Sequence, residues 1–487
     1  MKRFLVTACA TAAFVVCTLA SAQQTTVDLP QMGEPADTAM SPAQEMELGS
    51  RVVGEFYADD LIVEDSEVSE YLSLIGWKLA SNAGAGGRPP HFTFFVVQDP
   101  RINAFALPGG FVGVNAGLIT ATQNESELAG VIGHEQAHVT QRHIARSQQE
   151  GEAANIATWA AVLAAIIAGS ANPNLIIAAL SLGQAAVYQR GVNYTRAHEL
   201  EADRLGIRTM AAAGYDPEGM ASFFSRLEQQ SRLYGNLVPD ILQTHPVNTT
   251  RVSEARARAA GYGPRDHKDS LDYTLMKARV RVITMQPREA VDFFSGEIGN
   301  GRATVGNQYG LALGLTQQGR YQDAIEALAP ALDSFPRSAN LNMLQAQLLL
   351  GTGHADQALA LYKRTIGLYP RYAPALLEYA SMLINVGKSA EARQLLLSHE
   401  QALGSHMETY RLLAEAAHEL GNTSEEAFQT ANYRYERGDF NGAFEQLDAA
   451  LRLSTLSGQD RARLRARRDE MWDAIPPDLR PARRRPT

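Results

Sequence analysis

A repeat of 34 residues in the second half of the chain is the feature that most limits its possible folds. Two columns of small residues recur at this interval, the alanines Ala312, Ala346, Ala380 and Ala414 and the glycines Gly319, Gly353, Gly387 and Gly421. A third column contains Ala324, Ala358 and Ala392, and Pro336 and Pro370 close two of the units. This pattern predicts an all-α array of helix–turn–helix units, which stack into a superhelix with a concave binding face.

The period and the small-residue columns are those of tetratricopeptide repeats. The whole chain has 487 residues, which is more than one compact core holds at roughly 100–200 residues per domain. Its formal net charge is −9, and this acidic balance argues against nucleic-acid binding, which needs a basic face. The 2 cysteines exclude a disulfide framework and a cysteine-rich zinc site.

The N-terminus has the pattern of a secretory signal peptide. Two basic residues precede an apolar stretch at 4–19, and Ala20-Ser21-Ala22 is an A-x-A cleavage signal. We therefore predict a cleaved signal peptide at 1–22, whose removal takes both cysteines with it. A cysteine-free exported chain suits an oxidising compartment, so we expect the protein in the periplasm. An uncleaved membrane anchor is the alternative, but the apolar run is short for a span of about 20 residues.

A second apolar region, 156–187, consists of two arms separated by a polar break at 170–174. The arms, 156–168 and 175–187, each have 13 residues, and a helix needs about 20 to cross a bilayer. Two interpretations stay open. One is a buried helical hairpin, and the other is a mobile hydrophobic flap that makes peripheral contact with membrane or unfolded substrate.

The motif that carries chemistry is His134-Glu135-Gln136-Ala137-His138, which matches H-E-x-x-H. On a helix, positions i and i+4 share one face, so His134 and His138 can bind one Zn²⁺. Glu135 lies beside them and can take a proton from water at the metal. The motif therefore predicts a catalytic zinc site with one Zn²⁺ per chain.

A third ligand must come from elsewhere in the chain. Gln141 and Ile144 stand where a metzincin has Gly and His, so that class is excluded. His143 lies nine residues after His134, about 180° around a continuous helix, and would point away from the metal. We expect His143 to be a structural residue or to support a ligand.

A better candidate for the third ligand is an acidic helix further along the chain. Glu199 and Asp203 are four residues apart and share a helical face. Glu199 can bind zinc, and Asp203 can orient a ligand histidine. Glu201 lies about 200° around the helix from Glu199, so we do not expect it to share that role.

A candidate substrate-binding strand precedes the motif. The predicted edge strand consists of Asn103, Ala104, Phe105, Ala106 and Leu107. It runs into a Pro-Gly-Gly turn, and residues 111–115 are predicted to form the returning strand. An edge of this kind can pair with an extended polypeptide by strand addition, which favours unfolded chains as substrates.

These elements together resemble the HtpX/CAAX-prenyl-protease family of gluzincin metalloproteases. The resemblance rests on N-A-F-A-L-P-G-G from residue 103, on H-E-x-x-H, and on E-x-x-x-D 61 residues after His138. The added signal peptide and repeats are similar to the periplasmic members of that family that assist outer-membrane β-barrel assembly. The implied fold is an α+β zincin-type protease domain, mostly helical with a small β-sheet, followed by an all-α tetratricopeptide superhelix.

The resemblance also implies roles for individual residues. His134, His138 and Glu199 would be zinc ligands, Glu135 the catalytic base, and Asp203 the residue that orients a ligand. Thr244-His245-Pro246 matches a further family motif, and Arg251 lies six residues beyond His245. His245 and Arg251 are candidates to stabilise the oxyanion, or His245 could take the fourth zinc position as a latch. The resemblance favours the latch.

The expected organisation follows from these assignments. We predict a signal peptide at 1–22, a zinc metallopeptidase domain at 23–265 and a helical linker at 266–300. The tetratricopeptide repeat domain is expected at 301–455 and an Arg-rich tail at 456–487. The final residues, from Asp460 onward, have the composition of a solvated, partly disordered end, and the family pattern assigns them no role.

Three functions compete at this point. The first is a periplasmic zinc endopeptidase that degrades misfolded envelope and outer-membrane proteins and assists β-barrel assembly. Its repeats would dock the outer-membrane assembly machinery, as the resemblance implies. The second is a chaperone or assembly adaptor that acts mainly through its repeats, with a latent metal site. The third, a membrane-embedded protease, requires 156–187 to span the bilayer. The complete H-E-x-x-H favours the first, because a structural metal site does not need Glu135.

Overall fold

The structure, a computed structural model, describes residues 40–83, 91–149, 196–234, 240–263, 265, 267–404, 406–475 and 480. The expected signal peptide at 1–22 and the apolar arms at 156–187 lie outside the described residues. Among the helices of the described ranges, none combines the length and the apolar character needed to cross a membrane.

A small sheet forms one side of the catalytic part. It has three strands, β1 (Thr93–Val97), β2 (Ala104–Leu107) and β3 (Phe111–Asn115), in the order β1-β3-β2. β3 runs parallel to β1 and antiparallel to β2. The tight turn between β2 and β3 places Gly109 at φ 80°, a conformation that favours glycine. The predicted strand and its returning partner are therefore both present, and β2 lies at an edge of the sheet.

The other regular elements described in the catalytic part are helices. They are α1 (Pro42–Ala58), α2 (Ser66–Ala80), α3 (Ala116–Ala121), α4 (Glu125–Thr140), α5 (His143–Gln149), α6 (Arg196–Ala212), α7 (Glu218–Tyr234), α8 (Asp240–Thr244) and α9 (Thr249–Ala260). The H-E-x-x-H motif lies in α4, whose first turn is capped by the Asn124 side chain accepting a hydrogen bond from the Glu127 N–H. α4 packs between the sheet and the helices α6 and α7. Its residues Leu128, Ala129 and Ile132 are fully buried in the main apolar core, so the motif is held in a rigid setting.

The second half of the chain is entirely helical in its described residues. Its helices are α10 (Leu271–Thr284), α11 (Pro287–Gly299), α12 (Val305–Gln317), α13 (Tyr321–Ser334), α14 (Ala339–Gly351), α15 (Ala355–Leu368), α16 (Ala373–Asn385), α17 (Ser389–Ser398), α18 (Glu400–Leu403), α19 (Met407–Glu419), α20 (Thr423–Glu436), α21 (Phe440–Leu451) and α22 (Gly458–Ala474). The glycine column falls in the turns between paired helices, for example Gly353 at φ 83°. Ala312, Ala346 and Ala380 are fully buried where helices meet. The predicted fold class, a mostly helical α+β part followed by an all-α repeat array, is confirmed.

Residues 266–300, expected to be a helical linker, contain α10 and α11, and both pack into the main core. Leu275 and Phe294 belong to the same apolar cluster as Leu72 of the catalytic part and Leu341 of the repeats. Two packed helices with buried apolar faces are a structural connection rather than a spacer. The catalytic part and the first repeats therefore share one hydrophobic core.

The C-terminal region differs from the expected solvated end. Residues from Gly458 to Ala474 form α22, which begins at the Ser457 cap and packs on α20 and α21. Leu464 and Met471 are buried in a cluster with Leu447 of α21. The solvated-end prediction is wrong for this helix, because its Arg-rich composition concealed an apolar stripe with a seven-residue spacing. The three consecutive arginines near the C-terminus lie outside the described residues.

Candidate active site

Four buried side chains converge beside the middle of α4. They are His134, His138, Glu199 and His245, each offering one ligand atom, with all four atoms within 4.8 Å of one another. The i, i+4 spacing on α4 brings the two motif histidines together, and α6 carries Glu199 against them. His245 follows directly after α8. The structure thus assembles the sequence-predicted residues from three separate parts of the chain.

The distances within this group fit a tetrahedral metal. His134 Nε2 lies 3.0 Å from His138 Nε2, 3.4 Å from His245 Nδ1 and 3.5 Å from Glu199 Oε2. Ligands bound at 2.0–2.1 Å in a tetrahedron are separated by about 3.3 Å. Three imidazole nitrogens and one carboxylate are also the ligand types that zinc accepts. The donor set therefore has the chemistry and the approximate spacing of a metal site such as one for zinc.

Glu135 occupies the position that the motif predicts for a base. Its side chain is fully buried, and within the described ranges neither carboxylate oxygen has a hydrogen-bond partner. Its Oε1 lies 3.6 Å from Nε2 of His245. A buried carboxylate without hydrogen bonds is costly unless a cation or water compensates it. This arrangement is consistent with a metal and a water molecule at the group.

His134 is oriented by a carboxylate on its far side. Its Nδ1 lies 2.9 Å from Oδ1 of Asp203, so the Nδ1–H can donate there while Nε2 faces the metal group. Burial alone would raise the pKa of Asp203, but hydrogen bonds from Arg251 and His134 hold that pKa below its ordinary value. Asp203 therefore stays ionised, in a position from which it can orient His134.

Arg251 has different contacts from those of an oxyanion donor. Its Nε and Nη2 donate to the two oxygens of Asp203 at 2.8 and 2.7 Å, and its Nη1 lies 2.6 Å from Glu199 Oε2. Nη1 also donates to the Pro246 carbonyl at 3.0 Å. The residue is 1% exposed. All three nitrogens are thus engaged with the acidic helix and the His245 turn, which leaves the guanidinium poorly placed to meet a reacting carbonyl.

His143 contacts a ligand histidine, contrary to the helical projection from the sequence. α4 ends at Thr140, and Arg142 adopts φ 51°, so the chain turns before α5 begins at His143. His143 Nδ1 then lies 2.9 Å from Nδ1 of His138. The projection onto one continuous helix did not anticipate this contact, although a role in supporting a ligand is one of the two that the sequence analysis left open for His143. His143 is outside the metal-capable group, as expected.

The sequence reasoning missed two acidic residues that support the site. Glu201 was set aside because it faces away from Glu199, yet its Oε2 lies 3.2 Å from Nε2 of His143. Asp240, in α8, pairs with Arg101 at 2.7 Å, immediately before the predicted edge strand. Neither contact has a helical spacing that a sequence pattern would reveal.

The candidate substrate strand lies next to α4. β2 packs against α4, and its four residues are all buried, with Ala104 fully so and Ala106 7% exposed. The Ile241 N–H of α8 donates to the Ile102 carbonyl at 3.2 Å, which ties the segment carrying His245 to the start of this strand. In this state the outer edge of β2 is covered at Ala104.

Comparison with known proteins agrees with these features. Residues 66–259 match Peptidase family M48, and residues 309–373 and 343–405 match the tetratricopeptide repeat. A putative beta-barrel assembly-enhancing protease of Vibrio cholerae serotype O1 is 32% identical, covering 93% of this chain and 94% of that protein. The beta-barrel assembly-enhancing protease of Escherichia coli K12 is also 32% identical, covering 91% of each chain. The metalloprotease LoiP of the same organism is 27% identical and covers 41% of this chain and 73% of its own length.

Two observations therefore converge. The buried His/Glu group beside the H-E-x-x-H helix is the expected centre of a metalloprotease. The similarity to full-length relatives extends over both the catalytic part and the repeats. The chain belongs to the beta-barrel assembly-enhancing protease family of M48 metallopeptidases with C-terminal tetratricopeptide repeats.

Proposed function

We propose that the protein is a periplasmic zinc endopeptidase that cleaves misfolded envelope proteins and assists the assembly of outer-membrane β-barrels. The observation that carries this proposal is the buried convergence of His134, His138 and Glu199 with Glu135 beside them. The relatives' names, which describe proteases that enhance β-barrel assembly, support the cellular role.

The division of labour among the residues follows from their contacts. His134, His138 and Glu199 would hold one zinc ion, which when bound supplies a Lewis acid and lowers the pKa of water. Glu135 would accept the proton of the attacking water and deliver it to the leaving amine. Asp203, whose Oδ1 lies 2.9 Å from Nδ1 of His134, would hold the Nδ1–H, so that Nε2 keeps its lone pair for the metal.

We propose that the described state is latent. A catalytic zinc site keeps one coordination position open, whereas Nδ1 of His245 lies 2.9 Å from Glu199 Oε1, within the ligand group. His245 would thus fill the position that water needs. The covered edge of β2 is a second obstacle, since a substrate strand must reach that edge. Activation would then move α8 and His245 away together.

Strand addition to β2 is the mode of substrate binding that the ladder geometry supports. The Asn115 N–H donates to the Asn103 carbonyl at 2.9 Å, so this pair is hydrogen-bonded within the sheet. Pairs alternate along an antiparallel ladder, which directs the backbone groups of Ala104 and Ala106 to the free side. These groups would pair with the main chain of an unfolded substrate, whatever its side chains.

The repeats would provide docking surfaces for protein partners. A superhelical array of this kind presents extended binding surfaces, and the relatives' names point to the outer-membrane β-barrel assembly machinery. The apolar arms at 156–187 stay a prediction for peripheral membrane contact. A second candidate function, a chaperone or assembly adaptor with a latent metal site, is favoured by the position of His245 within the ligand group.

Substitution of the base tests the enzymatic proposal. Because the wild type is expected to be latent, Glu135→Gln is made in a His245→Ala background and compared with His245→Ala alone on casein. We expect one zinc per chain in both proteins but no cleavage with Glu135→Gln, since the amide cannot accept the proton. Glu326→Gln, an exposed change of the same kind in the repeats, should leave cleavage unchanged. Equal cleavage with and without Glu135 would overturn its assignment as the base, and no cleavage by either protein would favour the adaptor.

A further inference from the structure

Three side chains form a buried line that leads from the metal group to the surface. Nδ1 of His138 lies 2.9 Å from Nδ1 of His143, and Nε2 of His143 lies 3.2 Å from Oε2 of Glu201. His143 is fully buried, whereas the Glu201 side chain is 35% exposed. The line therefore joins a candidate ligand to a carboxylate that remains in contact with solvent.

When His138 binds a metal through Nε2, the ring protons of His138 and His143 can be placed in one way. Nε2 of His138 must then be free of hydrogen, so its Nδ1 carries the proton and donates. Nδ1 of His143 must accept this bond, which moves the proton of His143 to Nε2. That N–H can donate to Glu201, which accepts as a carboxylate. Each donor in the line thus meets an acceptor.

The backbone and neighbouring side chains hold His143 in this position. The turn at Arg142, with φ 51°, redirects the chain so that His143 begins a new helix against His138. The ring of His143 stacks on His198, with centroids 4.4 Å apart and planes 11° apart. Arg146 lies 3.1 Å from Glu201 and keeps its carboxylate near the ring. A positive φ at a non-glycine residue is uncommon, and here it places the acceptor.

We propose that His143 and Glu201 are positioning residues that fix the tautomer and ring orientation of His138. The two motif histidines would then be oriented by different acceptors, His134 by the carboxylate of Asp203 and His138 by a neutral imidazole backed by Glu201. This inference rests on the proposed function, because it requires His138 to be a metal ligand. Partners that orient a ligand typically change metal affinity 10- to 100-fold when they are removed.

The positioning role of His143 and Glu201 is tested by the zinc affinity of the full mature protein, measured by competition with a chromophoric chelator. His143→Leu removes the acceptor and should weaken zinc binding about 10- to 100-fold. His143→Asn should stay within about threefold of wild type, because the Asn amide oxygen can take the position of Nδ1 and accept from His138. A purely structural role for His143 would not distinguish these two variants in this way.

A second variant keeps the test valid if His143→Leu fails to fold. Glu201→Ala, at a partly exposed position, should weaken zinc binding severalfold, while Arg204→Ala on the exposed face of the same helix should leave it unchanged. Wild-type zinc affinity in Glu201→Ala, or equal affinities in His143→Leu and His143→Asn, would overturn the positioning role but leave the proposed function standing. A wild-type protein that binds no zinc would overturn both the positioning role and the proposed function.

Discussion

The guanidinium of Arg279 in α10 lies 2.7 Å from the carboxylate of Glu67 in α2, and this contact joins the catalytic part to the helices that lead into the repeats. Asp65 receives a second bond from Arg279 at 2.8 Å, and Asn340 of the repeats donates to Glu67 at 2.6 Å. Glu378, further along the array, lies 3.9 Å from Arg279. We refer to these five residues as the interdomain cluster. Three carboxylates thus share one arginine.

The interdomain cluster should make stability depend on pH. Burial and the neighbouring carboxylates raise the pKa of Glu67 to about 8, against an opposing effect of Arg279. Glu67 therefore holds a proton in the folded protein that it has lost in the unfolded chain above pH about 4.5. Stability should consequently fall as the pH rises from about 5 to 8, by roughly 2–4 kcal/mol.

Urea unfolding of wild type and Glu67→Gln across this pH range measures the effect. The Gln variant mimics the protonated form, so its free energy of unfolding should change much less between pH 5 and 8. Glu326→Gln, an exposed change of the same kind, should follow wild type. Parallel pH profiles for wild type and Glu67→Gln would show that Glu67 does not carry the effect.

The shared core predicts that the two halves unfold together. Leu72 of α2, Leu275 of α10 and Leu341 of α14 belong to one apolar cluster, so part of the core of each half is buried against the other half. We expect a single calorimetric transition for the mature protein, and poor solubility or a lowered melting temperature for a truncation after Asn300. Two well-separated transitions would instead indicate independent domains. Docking by the repeats is for this reason better tested with exposed point substitutions than with truncations.

Substitution of His245 distinguishes its two proposed roles. As a fourth ligand it blocks the site, so His245→Ala should raise casein cleavage and should leave zinc bound by the remaining three ligands. As an oxyanion donor its loss should reduce the rate about 10²-fold. The geometry favours the first outcome, since Nδ1 of His245 lies 3.4 Å from His134 Nε2. A steep loss of activity with zinc retained would contradict the latch.

The ion pair of Asp240 and Arg101 should help to keep His245 in the metal group. Their ion pair of 2.7 Å anchors α8, which precedes His245, to the segment before β2. Both side chains are partly exposed, so the pair is worth about 1 kcal/mol at most. Asp240→Ala should therefore raise casein cleavage by up to about fivefold. Asp323→Ala, which removes an exposed ion pair with Arg320 in the repeats, serves as the matched control. A decrease in cleavage with Asp240→Ala would count against the anchor.

Local patterns in the sequence predicted the parts of the site that lie on single helices. Helical geometry enforces the i, i+4 spacings of His134 with His138 and of Glu199 with Asp203, and each pair lies buried on one helix. The repeat array followed from its period for a similar reason, because each unit packs on its neighbour in sequence.

Such local patterns do not predict contacts that depend on a break in a helix or that join distant parts of the chain. The contact of His143 with His138 was not predicted, because no sequence signal marks the positive φ of Arg142 at which the chain turns out of α4. The pair of Glu67 and Arg279 joins residues 212 positions apart. Its two charges would each be expected at a solvated surface, and only the packing of α2 against α10 brings them together.

Arg251 should stabilise the metal group rather than the reacting oxyanion. Its guanidinium lies against both Asp203 and Glu199, and the Asp203 bond is bidentate. Arg251→Gln would leave two buried carboxylates without their counter-charge, which should cost about 3–5 kcal/mol in the free energy of unfolding of the metal-free protein. Arg251→Lys keeps the positive charge but cannot make the bidentate bond to Asp203, so we expect it to recover only part of the lost stability. Chemical unfolding and zinc affinity are the measurements. Unchanged stability and zinc affinity in Arg251→Gln, with cleavage reduced 10²-fold or more, would instead assign this residue to the oxyanion.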